Sequence, residues 1–279
     1  MADKAFQTMY RQEHVKGFEK RQSLLRRTVT TEAMIRGNSA VFLVADSGGA
    51  SAVTRGVNGD IPTRTDNLNQ YTATLVEWHD VPERTNFNIF SSQGEGRRIM
   101  QETCMSVMNR QIDTDIHVAL GGATTFWNAG EPAVATLARV LSAYTTLGNN
   151  FALEDDDVFA AITPAYYGQL AQLNAFTSAD YINQKPFENV AKSRAFNWMG
   201  INFIVDAGLP GKGTTNSSCY MYSRKAIGHA MATDQGSSVV GYDDKNHKSW
   251  ARSTEFMGSK LMQNSGVVVM PHDDSTLSI

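Results

Sequence analysis

A chain of 279 residues, 42% hydrophobic and 19% charged, carries enough apolar side chains for one large domain or two lobes, which excludes wholesale disorder. Its net charge of −3 excludes the overall basicity that drives nucleic-acid binding. Two cysteines, Cys104 and Cys219, make no disulfide framework, and the apolar runs at 41–45 and 267–270 are far too short to span a bilayer. The first twenty residues are polar and charged, unlike a signal peptide, so a soluble intracellular product is expected.

In residues 1–37, Lys4, Arg11, Lys16, Lys20, Arg21, Arg26, Arg27 and Arg36 outnumber the acidic residues, and Phe6, Met9, Tyr10, Phe18, Leu24 and Leu25 form only a partial stripe broken by Gly17. Such a segment reads either as a solvated terminal helix or as a basic arm lying across a more acidic neighbouring subunit. VFLVA at 41–45 and TATLVEW at 72–78 read as strands, separated by a Gly-, Ser-, Thr- and Asn-rich stretch with an Asn58-Gly59 turn signal. The two strands can pair as a hairpin whose far end projects away from the body, because the stretch between them has too few large apolar residues for a core.

From Ser91 to Gly122 the pattern is that of one long helix, with Ser92 and Glu95 placed as a capping box. Met100, Cys104, Met108, Ile112, Ile116 and Leu120 recur every fourth residue, and Ile99, Thr103 and Val107 widen the stripe. At 1.5 Å per residue this rod is roughly 40 Å long, a spine across which lobes can be built. A second amphipathic helix is expected over 132–148, with Val134, Leu137, Val140, Leu141, Tyr144 and Leu147 on its apolar side. Then follow an acidic turn at 154–157, a buried strand VFAAI at 158–162 and a Pro-opened helix from Thr163-Pro164. Next come a strand pair or bent strand around Gly200, a loop over 208–218, a strand at 219–223 and a short helix at 225–233. The chain closes with VVGYDD, a helix-or-strand stretch KSWARSTEFMGSKLMQ and a strand GVVVM.

The chemical signals fail one by one. Asp46-Ser47-Gly48-Gly49 lacks the flanking residues of a protease nucleophile motif and reads as a turn. Gly211-Lys212-Gly213-Thr214 lacks the spacing of a phosphate loop. The six histidines show no HxxxH or HExxH pair; His79-Asp80 and His272-Asp273-Asp274 each offer an incomplete metal set and read as solvated or satisfied surface groups. Asp113 and Asp115, two apart on a helix, face different sides and make no paired-carboxylate site. Nothing here supports an enzyme, a metal or a cofactor.

The order of elements carries more: a charged arm, an extended hairpin, a long helix, an α/β lobe and a return strand. The running text MYRQEHVKGFEKRQSLLRRTVTTEA, GNSAVFLVADSGGASAVTRGVNGDIPTR and KLMQNSGVVVMPHD resembles a group of phage coat proteins of similar length. Over essentially the whole chain the sequence resembles a tailed-phage major capsid protein of the Hong Kong 97 type; VFAAITPAYYGQL and FNWMGINFIV fit that family's strand–Pro–helix element and following strand.

The resemblance implies an α+β capsid fold. It assigns residues 1–37 to an N-terminal arm, 38–80 to an extended loop overlying a neighbour, and 81–150 with 241–279 to a peripheral domain built on a spine at 93–120. Residues 151–240 would form an axial domain. It implies self-assembly into pentamers and hexamers, then into an icosahedral head shell around double-stranded DNA, made in the host cytoplasm and carried in the virion. Mild acidity suits this, since a strongly basic inner wall would grip the genome. Expected partners are other copies, a portal protein, the packaged DNA by non-specific contact, and, where present, a separate scaffolding protein and a decoration protein, with no membrane. Arg26, Arg27, Arg55, Arg64, Asp155, Asp156 and Asp157 are the expected subunit-interface charges, with the basic arm meeting acidic neighbours at 154–157 or at Asp243-Asp244. Cross-linking as known for the family joins an extended-loop lysine to a neighbour's asparagine. No lysine occurs here between Lys20 and Lys185, and Arg55 and Arg64 stay protonated, so a non-covalent shell is expected despite Asn58, Asn67 and Asn69. Two alternatives stand beside this reading: an encapsulin-like compartment holding protein cargo, and a soluble α/β enzyme.

Overall fold

The computed structural model describes residues 22–276 except 32–33, 57–58, 60, 92–95, 128–129, 154–156, 178–194 and 233–236. Its axis is helix α2 (Gly96–Gly121), preceded by a short α1 (Asn86–Ser91). All six residues of the every-fourth row are buried, from Met100 at 1% exposure to Leu120 at 0%. A strict i+4 row drifts around a 3.6-residue helix, so the buried face winds and meets two partners in turn. Met100 and Cys104 pack with Ala251, whereas Ile112, Ile116 and Leu120 join the main core. The helix tightens as it ends, with Gly122 N–H donating to Ala119 O (3.2 Å) and Ala123 N–H to Leu120 O (3.0 Å). The expected capping pair Ser92 and Glu95 lies outside the described residues.

Against α2 lies a sheet centred on β12 (Lys248–Leu261), a 14-residue strand that settles the helix-or-strand stretch as strand. One flank of β12 pairs antiparallel with β10 (Ile227–Met231) and β11 (Ser237–Asp243). Its other pairings, also antiparallel, are with β4 (Val76–Asp80) and β5 (Glu83–Thr85). The hairpin of β2 (Ser39–Asp46) and β3 (Asn67–Thr74), with β1 (Met34–Arg36) on its edge, makes a separate three-stranded sheet.

A third sheet, in the order β13-β9-β6-β8-β7, holds most of the core. It comprises β6 (Val158–Ile162), β7 (Ala195–Trp198), β8 (Ile201–Val205), β9 (Ser217–Ser223) and β13 (Val267–His272), with β6 and β8 parallel. Every residue of β6 is buried, as a strand paired on both sides with β8 and β9 inside the main core must be; α3 (Leu137–Asn149) packs on β13 and β9, and α4 (Pro164–Ala171) follows β6. Thr163 caps α4 by accepting from Tyr166 N–H (3.2 Å), with Pro164 just inside. The short α5 (Asn174–Thr177) brings Phe176 against Trp198, ring centroids 3.9 Å apart, while Phe196 stacks on Phe203. The β7–β8 turn at Met199-Gly200 has positive φ at both residues, as a two-residue hairpin requires.

Three expectations give way. The helix expected at 225–233 is a short 3-10 turn followed by β10, because Ile227–Met231 fill a ladder with β12 and Gly228 must let the Phe42 ring approach. The helix expected from Pro132 starts at Leu137; Ala133 instead bridges to His272, and Val134 stays 43% exposed. The strand expected at 72–78 breaks at Leu75, whose N–H donates to Asn38 O, so that β3 serves the hairpin and β4 the sheet of β12. Sheet membership also crosses residue 240, since β10 joins β12 and β13 joins β9.

Candidate assembly interface

The hairpin is rooted by a small apolar cluster. Ala40, Phe42 and Ala73 pack with Ala230 and Met262, and the Phe42 ring lies where a Cβ on Gly228 would stand, 2.6 Å from its carbons. Pairing then continues in register out to Asp46 opposite Asn67. Beyond the root nothing covers it: all described residues from 45 to 68 are exposed. Leu43, Leu68, Ile61 and Val53 are 74%, 76%, 65% and 63% exposed. The 46–49 turn is held by Gly48 N–H and Asn67 Nδ2 donating to Asp46 Oδ1 (2.7 and 3.0 Å), with Gly48 and Gly49 at positive φ.

The expected interface charges fall into two groups. On the hairpin, Arg64 is tied to Asp66 Oδ1 (3.0 Å) and to Ser47 O (3.3 Å), while Arg55 is exposed without a partner among the described residues. At the other site, Arg26 and Arg27 sit on an exposed 3-10 turn, and Arg224 links it to Asp157, donating to Arg27 O (3.2 Å) and pairing with Asp157 (3.1 Å). Asp157 is thus engaged within its own chain; Asp155 and Asp156 lie outside the described residues, as does the arm over 1–21. Sequence reasoning missed Arg224, and also Asp113, which accepts from the backbone N–H of Leu24 and Leu25 (both 3.1 Å) and so anchors the end of the arm to the spine. Asp115 faces another way, accepting from Ser259 Oγ (2.6 Å), as the two-residue offset requires.

His272 is a correction: it is fully buried rather than a surface group. Its Nδ1 faces Asp274 Oδ1 and its Nε2 faces Gln169 Oε1 (2.8 Å), whose oxygen also accepts from Ala135 N–H. Thr163 and Ser217 hydroxyls and Gly213 N–H converge on Asp274 as well. Burial would raise the Asp274 carboxyl, but these donors together hold it below the ordinary carboxylate value. Burial pulls His272 below its ordinary value against the pull of Asp274. Ser217, His272 and Asp274 are a familiar trio in the wrong order: the serine sits on the aspartate and the imidazole turns to Gln169, with all three buried. Both cysteines are buried and free, their thiols pushed up to about 12 by burial. Among the described residues no cluster of His, Cys, Asp or Glu could hold a metal, and no helix is long and apolar enough to cross a membrane.

A spine helix, a projecting hairpin and a second lobe around a mixed sheet define a shell-building architecture, and solved capsids share it. The capsid of cyanophage P-SCSP1u superposes with a TM-score of 0.70 at 11% identity, covering 96% of this chain and 93% of its own. Mycobacterium phage Che8 gives 0.68 at 12%, covering 94% of each, and the capsid of a native GTA particle gives 0.67 at 12%, covering 94% and 93%. Among curated proteins none matches the chain. The chain belongs to the phage capsid protein family, whose model matches residues 2–274. Its fold is the α+β Hong Kong 97 type, and the protein is a structural major capsid protein of the phage head shell, a component of the virion.

Proposed function

We propose that the subunit assembles through its own extended loop and arm into pentamers and hexamers, and that these close into an icosahedral shell around double-stranded DNA in the host cytoplasm. The observation that carries this is the hairpin: eight residue pairs of ladder project a limb whose apolar residues Leu43, Leu68, Val53 and Ile61 face solvent. A strand pair of this kind is marginal alone and gains its stability from a partner. Contacts of loop on neighbour are head-to-tail, the kind that closes into rings. Arg26, Arg27, Arg55 and Arg64 supply charge to those contacts, with Asp155, Asp156 and the partly engaged Asp157 as acceptors. The arm is residues 1–37 and the extended loop 38–80. The spine and its sheet make the peripheral domain, with β13 of 241–279 lent to the axial lobe of 151–240 and β10 lent back. The subunit does no chemistry; a portal protein and, where present, scaffolding and decoration proteins are its partners in the head.

Electron microscopy of the expressed chain, with nucleic-acid and cargo assay of particles from infected cells, tests this. DNA-filled shells are expected. Shells holding protein cargo would favour a compartment of encapsulin type, and a small soluble oligomer would overturn the shell. Boiled in detergent, particles should run as one band at 30.6 kDa; a reductant-resistant ladder would show covalent cross-links despite the missing lysine.

A further inference from the structure

The two sets of strands that pair with β12 end in different edges. The set formed by β4 and β5 is interrupted by Pro82, which has no N–H to offer, and it carries Glu77, His79 and Glu83. β11 has no such protection. Its sequence is Ser-Ser-Val-Val-Gly-Tyr-Asp, it pairs along all seven residues with β12, and among the described residues it pairs with no other strand. In an antiparallel ladder every second residue turns both N–H and C=O away from its partner, so the outer edge of β11 is an open template. Val239, Val240 and Tyr242 are 39%, 38% and 42% exposed along it. The Trp250 indole fills the space above Gly241, so the strand has no gap at its glycine.

The chain carries a segment that fits. Residues 51–55 are all exposed and make no hydrogen bond among the described residues. The returning limb is a poorer donor strand, because Pro62 interrupts it and Arg64 is held by Asp66 and Ser47. Val53 and Arg55 share a face, as do Val240 and Tyr242. Arg55 is unpaired among the described residues, and β11 ends at Asp243 followed by the exposed Asp244. Asp243 is occupied by Lys245 N–H and Asn246, which leaves Asp244 as the acceptor.

We propose that the outer edge of β11 receives residues 51–55 of a second copy as an added parallel strand, with Val53 beside Val240 and Arg55 beside Tyr242 and Asp244. The parallel direction follows from charge, since the antiparallel one would carry Arg55 towards Ser238. Edge and donor are different surfaces of one chain, which makes the contact head-to-tail and extendable around a ring. The inference rests on the reading that the extended loop reaches a neighbouring copy, and it names where on the neighbour the loop lands.

Particles of the full chain carrying both Val53→Cys and Val240→Cys, mildly oxidised, test it. A ladder of multimers that collapses with reductant is expected, absent from either single variant; the native Cys104 and Cys219 are buried and stay silent. The pair Arg55→Cys with Tyr242→Cys should link in the same way, and Arg55→Cys with Ser238→Cys should not; the reverse pattern overturns the parallel register. Particles that form normally but do not link through 53 and 240 overturn the acceptor edge and leave self-assembly standing. Failure of the unsubstituted chain to form particles removes the shell reading and this contact with it. Val240→Lys should leave a folded soluble subunit and lower particle yield at least tenfold, and an unchanged yield counts against the edge.

Discussion

β6 and the β2–β3 hairpin are both regular ladders, and they have opposite relations to water. β6 buries all five of its residues between β8 and β9, whereas every described residue of the hairpin from 45 to 68 is exposed. Backbone pairing alone therefore does not distinguish them. What differs is the apolar surface each ladder covers, at about 25 cal/mol per Å² buried. The core strand is stabilised within one chain. The hairpin leaves Leu43 and Leu68 exposed, which is the basis of its proposed role in assembly.

That contrast is most sharply broken in the core. Met108→Asp places a carboxylate at a position 6% exposed in the buried row of α2, at a cost of several kcal/mol. Soluble yield and circular dichroism of the subunit should collapse; a folded, assembling variant would mean the spine is not the core element it is taken to be. Asp274→Asn comes next, at about 1–3 kcal/mol near neutral pH, because it strips a buried acceptor from the donors converging on it. The sign of its pH effect follows from the lowered pKa values. Asp274 and His272 both contribute stability that is fully present above their ordinary values, about 4 and 6.5, and is lost as pH falls below them. The subunit's melting temperature should fall on the acid side, and the Asn variant should flatten the part of that fall near pH 4. An equally steep acid limb in the variant would exclude Asp274 as its source.

Gly228→Ala probes the boundary between the two regions. A Cβ there meets the Phe42 ring at 2.6 Å, so the ring or β10 must shift, at about 1–3 kcal/mol. Hydrogen exchange should quicken in β2 and β3 and remain unchanged in β6 and β9; uniform loosening would show the hairpin root to be part of the main core. The smallest effect on the isolated subunit is expected for Leu43→Ser with Leu68→Ser, within about 0.5 kcal/mol each by denaturant unfolding, since little area is uncovered. Particle yield should nonetheless drop sharply. A large loss of subunit stability with normal assembly would invert the comparison between hairpin and core.

Local pattern already determined much of this protein. The every-fourth row from Met100 to Leu120, the apolar run VFAAI and the Thr163-Pro164 helix start depend on neighbours a few residues away, and each stands where that pattern placed it. The bare stretch between the hairpin strands was equally legible, because a lack of large apolar side chains needs no partner to be seen. Only the tertiary structure decided the rest. Ile227–Met231 could be helix or strand until β12 offered a ladder, and the 14 residues of β12 itself have no periodicity that decides between the two without α2 on one face. His272 looks solvated beside two aspartates in sequence and is buried because Gln169, 103 residues away, supplies its second partner. Asp157 reads in sequence only as part of an acidic surface turn, and the fold brings Arg224 to it at a half-exposed ion pair that no local signal marked. Burial and pairing across long separations depend on which surfaces the fold brings together, and one-dimensional spacing carries no record of that.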